Sequence, residues 1–171
     1  MMTAAELRAL QGPIKNRYKD DPASARVTSR AEAVLRPGAI QVGVRAGDIV
    51  VEAGLHTATG GDGSLRCSAD ILMEALVACA GVTLQAVSTA MGIAILSGRV
   101  RAEADWDARG TLGVSRETPV GLTGVRLIFE LESAASAEQL DKLLELAERY
   151  CVVAQTLRVA VPITVSLTAR S

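Results

Sequence analysis

The sequence predicts one α+β domain with antiparallel sheet. Three observations carry that expectation. Short segments of period-two alternation lie on both sides of one long apolar helix, a second helix opens with a capping box, and most connections are short enough for meanders. At 171 residues the chain is long enough for one ordinary domain with a real core. Its residues are 49% apolar but only 2% aromatic, so Val, Leu, Ile and Ala must build that core.

Along the chain, "AELRALQGPIKNRYKDDP" begins as a short helix. Gly12-Pro13 is expected to interrupt it and Asp21-Pro22 to end the segment. The pattern then changes to period two. "ARVTSRAEAVL" and "AIQVGVRAG" flank "RPG", which reads as a hairpin turn, and "DIVVEAG" follows the turn at Gly47-Asp48. "TATGGDGS" is loop. Next comes the long helix, with Ser68 as its expected N-cap, Asp70 in its first turn and Gly92 after its last apolar residue, Met91. Two strands follow. Val100, Ala102, Ala104 and Trp106 share a face of the first, and Val125, Leu127, Phe129 and Leu131 a face of the second. "SAEQ" at 136–139 is a capping box. The helix it opens carries Leu140, Leu143, Leu144, Ala147 and Cys151 on one stripe, with Glu138–Lys142 and Glu145–Arg149 spaced for outer ion pairs. Val159, Val161, Ile163, Val165 and Leu167 alternate with Ala160, Thr164, Ser166 and Thr168, which predicts a last strand, with Pro162 pointing to an edge or a strand start.

Several function classes are disfavoured by the totals. A formal net charge of −1 gives no global attraction to nucleic acid or to an anionic membrane, and the scarcity of aromatics removes base-stacking platforms. The charged amino terminus reads as no signal peptide. The apolar run from Ile71 to Leu96 is interrupted by Glu74 and Gln85, which fits a buried helix better than a membrane span. The expected compartment is the cytoplasm, where structural disulfides are rare. Three cysteines (Cys67, Cys79, Cys151) without CxxC spacing, and one histidine (His56), make a metal site an unusual expectation; no metal or organic cofactor is expected. "GGDGS" lacks the Lys-Ser/Thr of a phosphate loop and reads as a turn.

Cys79 lies in "EALVACAGVT", a run with almost nothing polar in it. At about 100° per residue its helix face holds Leu72, Ala75, Val82, Thr83, Ala86 and Ala90, mostly small side chains that let another backbone approach. Glu74 falls about 140° away, off that face. Cys151 sits on the apolar stripe of its own helix. If both stripes face one core, the two sulfurs can meet. The bland alternative is that both thiols simply pack, because free cysteine is among the most buried residue types.

At these residues the chain resembles the OsmC/Ohr family of thiol peroxidases. "SADILMEALVACAGVTLQAV" is similar to the family's central helix with its first cysteine. "LLELAERYCVVAQTLRVAVPITVSL" is similar to its second-cysteine helix and final strand. The resemblance runs from about Ala25 to Ala169, so that residues 1–24 form an N-terminal helical extension and 25–171 an OsmC-like domain. It implies an intertwined homodimer with long central helices between sheets built from both chains. It also implies that Cys79 is the peroxidatic and Cys151 the resolving cysteine, that an organic hydroperoxide is the substrate, and that an external dithiol is the reductant. The family's arginine near the first hairpin is matched by Arg36, with Arg30 and Arg45 as rivals. Where the family has a glutamate before the central helix, this chain has Ala69 followed by Asp70. The second cysteine is followed by "VVA" instead of the family's proline and serine. Those departures keep two alternatives open on the same fold: a non-enzymatic binder of a small hydrophobic ligand, and a slow thiol redox sensor. His56 and Cys67 read as a loop histidine and a strand-end packing residue.

Overall fold

The computed structural model of the protein describes residues 2–169. The chain opens with helix α1 (Ala4–Asp20). Thr3 caps it through a reciprocal box: its hydroxyl accepts from the Glu6 amide at 3.2 Å, and the Glu6 carboxylate accepts the Thr3 amide at 2.7 Å. The expected interruption at Gly12-Pro13 does not occur, and the helix runs through Pro13. Proline removes one hydrogen bond to the carbonyl of residue 9. Ala9 is exposed, so water can satisfy that carbonyl and the turn survives. A 3-10 turn at Pro22–Ala25 follows.

Strands β1 (Glu32–Leu35), β2 (Gln41–Ala46) and β3 (Ile49–Gly54) form an antiparallel sheet in chain order. Only the last four residues of "ARVTSRAEAVL" are in strand, because β2 is too short to pair with the rest. This sheet stands apart from the helices as an arm. It joins the body where the Gly54 amide meets the Arg66 carbonyl at 3.0 Å and Ala53 bridges to Arg66. Val34, Leu35, Ile40, Ile49 and Val50 are exposed on it.

Helix α2 (Ser68–Met91) is the spine. It starts one residue earlier than expected: Cys67 takes the N-cap position, with no side-chain cap, and Ser68 is already helical. It ends at Gly92, whose φ of 71° is left-handed. By length and composition alone α2 is apolar enough to cross a membrane. Here it serves as the core helix on which β4 (Ser97–Asp105) packs. A helical turn not foreseen in the sequence, α3 (Ala108–Thr111), follows, capped by the Asp107 carboxylate on the Arg109 amide at 2.9 Å. Strand β5 (Gly124–Glu132) then pairs antiparallel with β4, placing Val100 opposite Phe129 and Ala102 opposite Leu127. These apolar side chains face α2, as their alternation predicts. The opposite face carries Arg99, Arg101 and Arg126, paired with Glu130, Glu103 and Asp105. Such exposed pairs contribute little stability individually.

Helix α4 (Ala137–Tyr150) begins at the expected capping box, with the Ser136 hydroxyl accepting from the Gln139 amide at 3.3 Å. Within the helix Lys142 pairs with Glu145 at 2.7 Å, and neither of the two pairs expected from spacing is formed among the described residues. The helix stops at Cys151, and a short helix α5 (Val152–Arg158) restarts beyond it. The core lies where α2, α4, α5 and the β4–β5 sheet meet. One cluster is Leu76, Ala80, Cys151 and Ala154; the other is Leu84, Ile93, Leu143 and Ala147.

The last strand expected from alternation is absent. Residues 159–169 form no strand and stay exposed, with Ile163 and Val165 at 87% and Leu167 at 91% of full accessibility. The period-two pattern is real, but a strand exists only by pairing, and among the described residues no sheet edge takes it up. The burial ledger yields a direct test. Leu143 is completely buried between α4 and α2, so Leu143→Ala is expected to cost about 2–5 kcal/mol in urea unfolding through lost transfer energy plus a residual cavity.

Candidate active site

Cys79 occupies the middle of α2, and Cys151 the break between α4 and α5. α5 packs against α2, which places the two thiols side by side. Cys151 is completely buried, and Cys79 is half-buried beside Met73 and Val153. Both are free thiols. The chain turns at Cys151 because its backbone leaves helical geometry there, with φ −77° and ψ 105°. Its sulfur then accepts the Ala154 amide at 3.5 Å and so caps α5 in the manner of a serine.

The two thiols divide their titration unequally. Burial pushes the Cys79 thiol up. Hydrogen bonds from the Val153 backbone, the Cys151 side chain, the Val152 backbone and the Thr83 side chain outweigh that burial, and Cys79 ends below the ordinary thiol range. Cys151 moves the other way. Burial raises it most, the Ala154 amide offsets part of that, and donation to Cys79 together with the Cys79 charge raises it further. Of the two, Cys79 is the thiol that gives up its proton more readily. A half-buried thiol shifted down beside a buried thiol shifted up is the arrangement that thiol oxidation followed by disulfide closure requires.

No arginine is among the groups that stabilise Cys79 within one chain. Arg36 lies on the arm, just past β1, where its guanidinium meets the Glu52 carboxylate at 2.5 Å. That bond and the Glu52 charge raise its pKa. Gly43 makes room for this pair. A Cβ there would stand 2.9 Å from the Arg36 guanidinium and 3.2 Å from Glu52 Oε1. The other Glu52 oxygen, Oε2, is buried without a partner. Arg30 precedes β1 and Arg45 lies within β2, both exposed and neither in an ion pair among the described residues. Ala69 and Asp70 line a surface depression with Glu74 and Trp106, while Glu74 itself pairs with Arg66 at 2.8 Å.

His56 and Cys67 fall outside the Cys79 site. They share the wall of another groove with Trp106, Leu72 and Leu122. Cys67 is roughly 18 Å from Cys79 along α2 at 1.5 Å per residue. His56 caps the 3-10 turn Thr57–Thr59, its Nδ1 accepting the Ala58 amide at 3.0 Å, and packs edge-on against Trp106 at 5.2 Å. The "GGDGS" turn is tightly folded. A Cβ on Gly61 would stand 1.9 Å from the Leu55 carbonyl oxygen, so no larger residue fits there.

Sequence reasoning missed the Val152 and Val153 backbone donors and the Glu52 partner of Arg36. The first are invisible because cysteine is not a customary capping residue. The second was available in principle, because the short side-chain-free Gly43 lies opposite Glu52 in the β2–β3 register.

A two-thiol site at a helix break, on an antiparallel α+β scaffold with one long central helix, defines a class of small thiol proteins. A sequence model of the OsmC-like protein family matches residues 61–166, more than half of the chain, and the protein belongs to that family. No curated protein matches the chain in sequence. Solved structures with this fold include an OsmC-like protein from Mycoplasma pneumoniae, 17% identical, covering 77% of this chain and 88% of that one with a TM-score of 0.64. Another is an organic hydroperoxide resistance protein OsmC, predicted redox protein and regulator of sulfide bond formation, from Legionella pneumophila, at 18% identity, 78% and 91% coverage, and TM-score 0.62. The organic hydroperoxide resistance protein OhrB of Bacillus subtilis matches at 17% identity, 77% and 91% coverage, and TM-score 0.56.

The split titration is measurable. Peptide-resolved iodoacetamide labelling is expected to modify Cys79 at least about tenfold faster than Cys151 at pH 7, because only the thiolate attacks. The Cys79 rate is expected to rise with pH and level off below the range of an ordinary thiol, as its lowered pKa requires. Thr83→Val removes one donor and is expected to move that levelling to higher pH.

Proposed function

We propose that the protein is a cysteine-based peroxidase that reduces organic hydroperoxides. The observation that carries this reading is the pair of adjacent thiols with opposed shifts: Cys79 is moved below the ordinary thiol range while Cys151, packed beside it, is moved above it. Two of the structural relatives are titled organic hydroperoxide resistance proteins, which supports the same substrate class. In the first step the Cys79 thiolate attacks the distal peroxide oxygen. The O–O bond breaks, Cys79 becomes a sulfenic acid, and the alkoxide leaves and takes a proton to give the alcohol. In the second, Cys151 attacks the sulfenic sulfur, a Cys79–Cys151 disulfide forms and water departs. An external dithiol then reduces the disulfide and is itself oxidised to a disulfide.

The working unit in this reading is a homodimer. Three bare apolar features support it: the β1–β3 arm, the outer face of α2 with Val82 at 72% exposure, and the unpaired alternating segment 159–169. Each buries its apolar side chains only against another chain. The partner subunit's Arg36 then supplies the guanidinium that Cys79 lacks, held by its ion pair with Glu52. The orphaned Glu52 Oε2 fits a position that closes at an interface. Residues 1–24 are read as an extension to the OsmC-like domain of 25–171, and the cytoplasm as the compartment.

Purified protein treated with cumene hydroperoxide is expected to form the intrachain Cys79–Cys151 disulfide within seconds, seen by mass spectrometry and abolished in Cys79→Ser. Two free thiols after treatment would remove both the peroxidase and the sensor readings and leave the ligand binder. Rapid oxidation without turnover on a dithiol would favour the sensor. Light scattering is expected to give twice the 17.8 kDa chain mass, and a monomer would count against delivery of Arg36 across an interface.

A further inference from the structure

The break between α4 and α5 sets where the Val152 and Val153 amides stand relative to Cys79, so whatever fixes that break sets the sulfur's surroundings. Two side-chain ties cross it. One is the ion pair between Arg158 and Glu148, whose side chains are 63% and 40% exposed. The other is a hydrogen bond from Gln155 Nε2 to the Glu148 backbone carbonyl at 3.0 Å, from a half-buried side chain. The exposed ion pair is screened and worth little, and the amide tie is shielded and directional. The Glu148 carbonyl, in the last turn of α4, already takes the Cys151 amide at 3.3 Å, and Gln155 gives it a second donor from the far side of the break. The Gln155 backbone N–H donates to the Cys151 carbonyl at 2.9 Å, the first helical bond of α5. One residue therefore grips both sides of the turn, while Val153 and Cys79 pack against the Cys151–Ala154 cluster.

We propose that Gln155 is a positioning residue for Cys79: its side-chain amide, by tying the first turn of α5 to the last turn of α4, holds the backbone N–H groups of Val152 and Val153 toward the Cys79 sulfur. This rests on the reading of Cys79 as the reactive thiol. Gln155 acts only through the backbone, and it does so from within this chain, independently of any group that a second subunit brings.

The test is the pH profile of Cys79 alkylation by iodoacetamide in the intact protein, resolved from Cys67 and Cys151 by peptide mass spectrometry. Gln155→Met keeps the size and the helix propensity but cannot donate. It is expected to slow Cys79 labelling at pH 7 by about threefold or more and to shift the profile upward, since a donor to the charged form is loosened. Gln155→Glu, a second near-isostere without a donor, is expected to shift it the same way. Thr156→Val is the control. It removes a hydrogen bond of 2.8 Å to the Val152 carbonyl within α5 without crossing the break, and it is expected to leave the profile in place. Unchanged profiles in folded Gln155→Met and Gln155→Glu, or an equal shift in Thr156→Val, would overturn the proposal. An ordinary thiol profile for Cys79 in the unmodified protein would overturn it together with the reactive-thiol reading. Slowed labelling in the Gln155 variants with no oxidation of the unmodified protein by hydroperoxide would support the positioning role while the peroxidase reading fails.

Discussion

The contact between two sulfurs, one from the middle of α2 and one from the break between α4 and α5, is the constraint on which the site depends. Two thiols this close cannot ionise independently, because the first charge raises the cost of the second. Which one ionises is decided by the amides around it. Cys151 spends its acceptor capacity on the Ala154 amide and its proton on Cys79. Cys79 collects what remains. The opposed shifts of the two thiols thus follow from a backbone turn, and the turn from a helix that ends where a buried cysteine must leave its stripe.

The rest of the chain is built around keeping that contact in place and leaving other surfaces bare. Leu76, Ala80 and Ala154 wall the pair from below, and Val100, Ala102, Leu127 and Phe129 support them from the β4–β5 sheet. Ala75 and Ala78 leave the outward face of α2 low, and Val82 stands exposed on it. The arm of β1–β3 and the tail of 159–169 extend away from the body. An apolar surface of this extent is unusual on an isolated monomer. Its parts are a sheet, a helix face and an unpaired alternating segment.

Much of this was legible in the sequence, for identifiable reasons. Alternation fixed the inner faces of β4 and β5, because one side of that sheet is buried and the other carries its ion pairs. The capping box at Ser136 and the glycine at 92 marked helix ends through local chemistry. Helical spacing put Glu74 away from Cys79, and the structure pairs it with Arg66. The failures were equally physical. The tail from Val159 to Leu167 alternates as a strand should, yet pairing is a property of two segments, and only one is described by its own residues. Pro13 looked like an end because local rules ignore that an exposed carbonyl can turn to water. The break at Cys151 gave no signal, since the stripe of α4 continues through it and only the three-dimensional fit of α5 against α2 requires the turn. Arg36 could be singled out only by resemblance. Its partner, Glu52, lies sixteen positions away along the chain and is brought close by register.

One local arrangement has a use apart from the thiols. The sole tryptophan of the chain, Trp106, meets the sole histidine, His56, edge-on, and His56 in turn caps the loop that leads from the arm into α2. Indole emission is sensitive to a neighbouring imidazole, and no second tryptophan obscures it. The joint between arm and body is therefore optically addressed: a single tryptophan reports on the segment that links β3 to α2, without any label being attached.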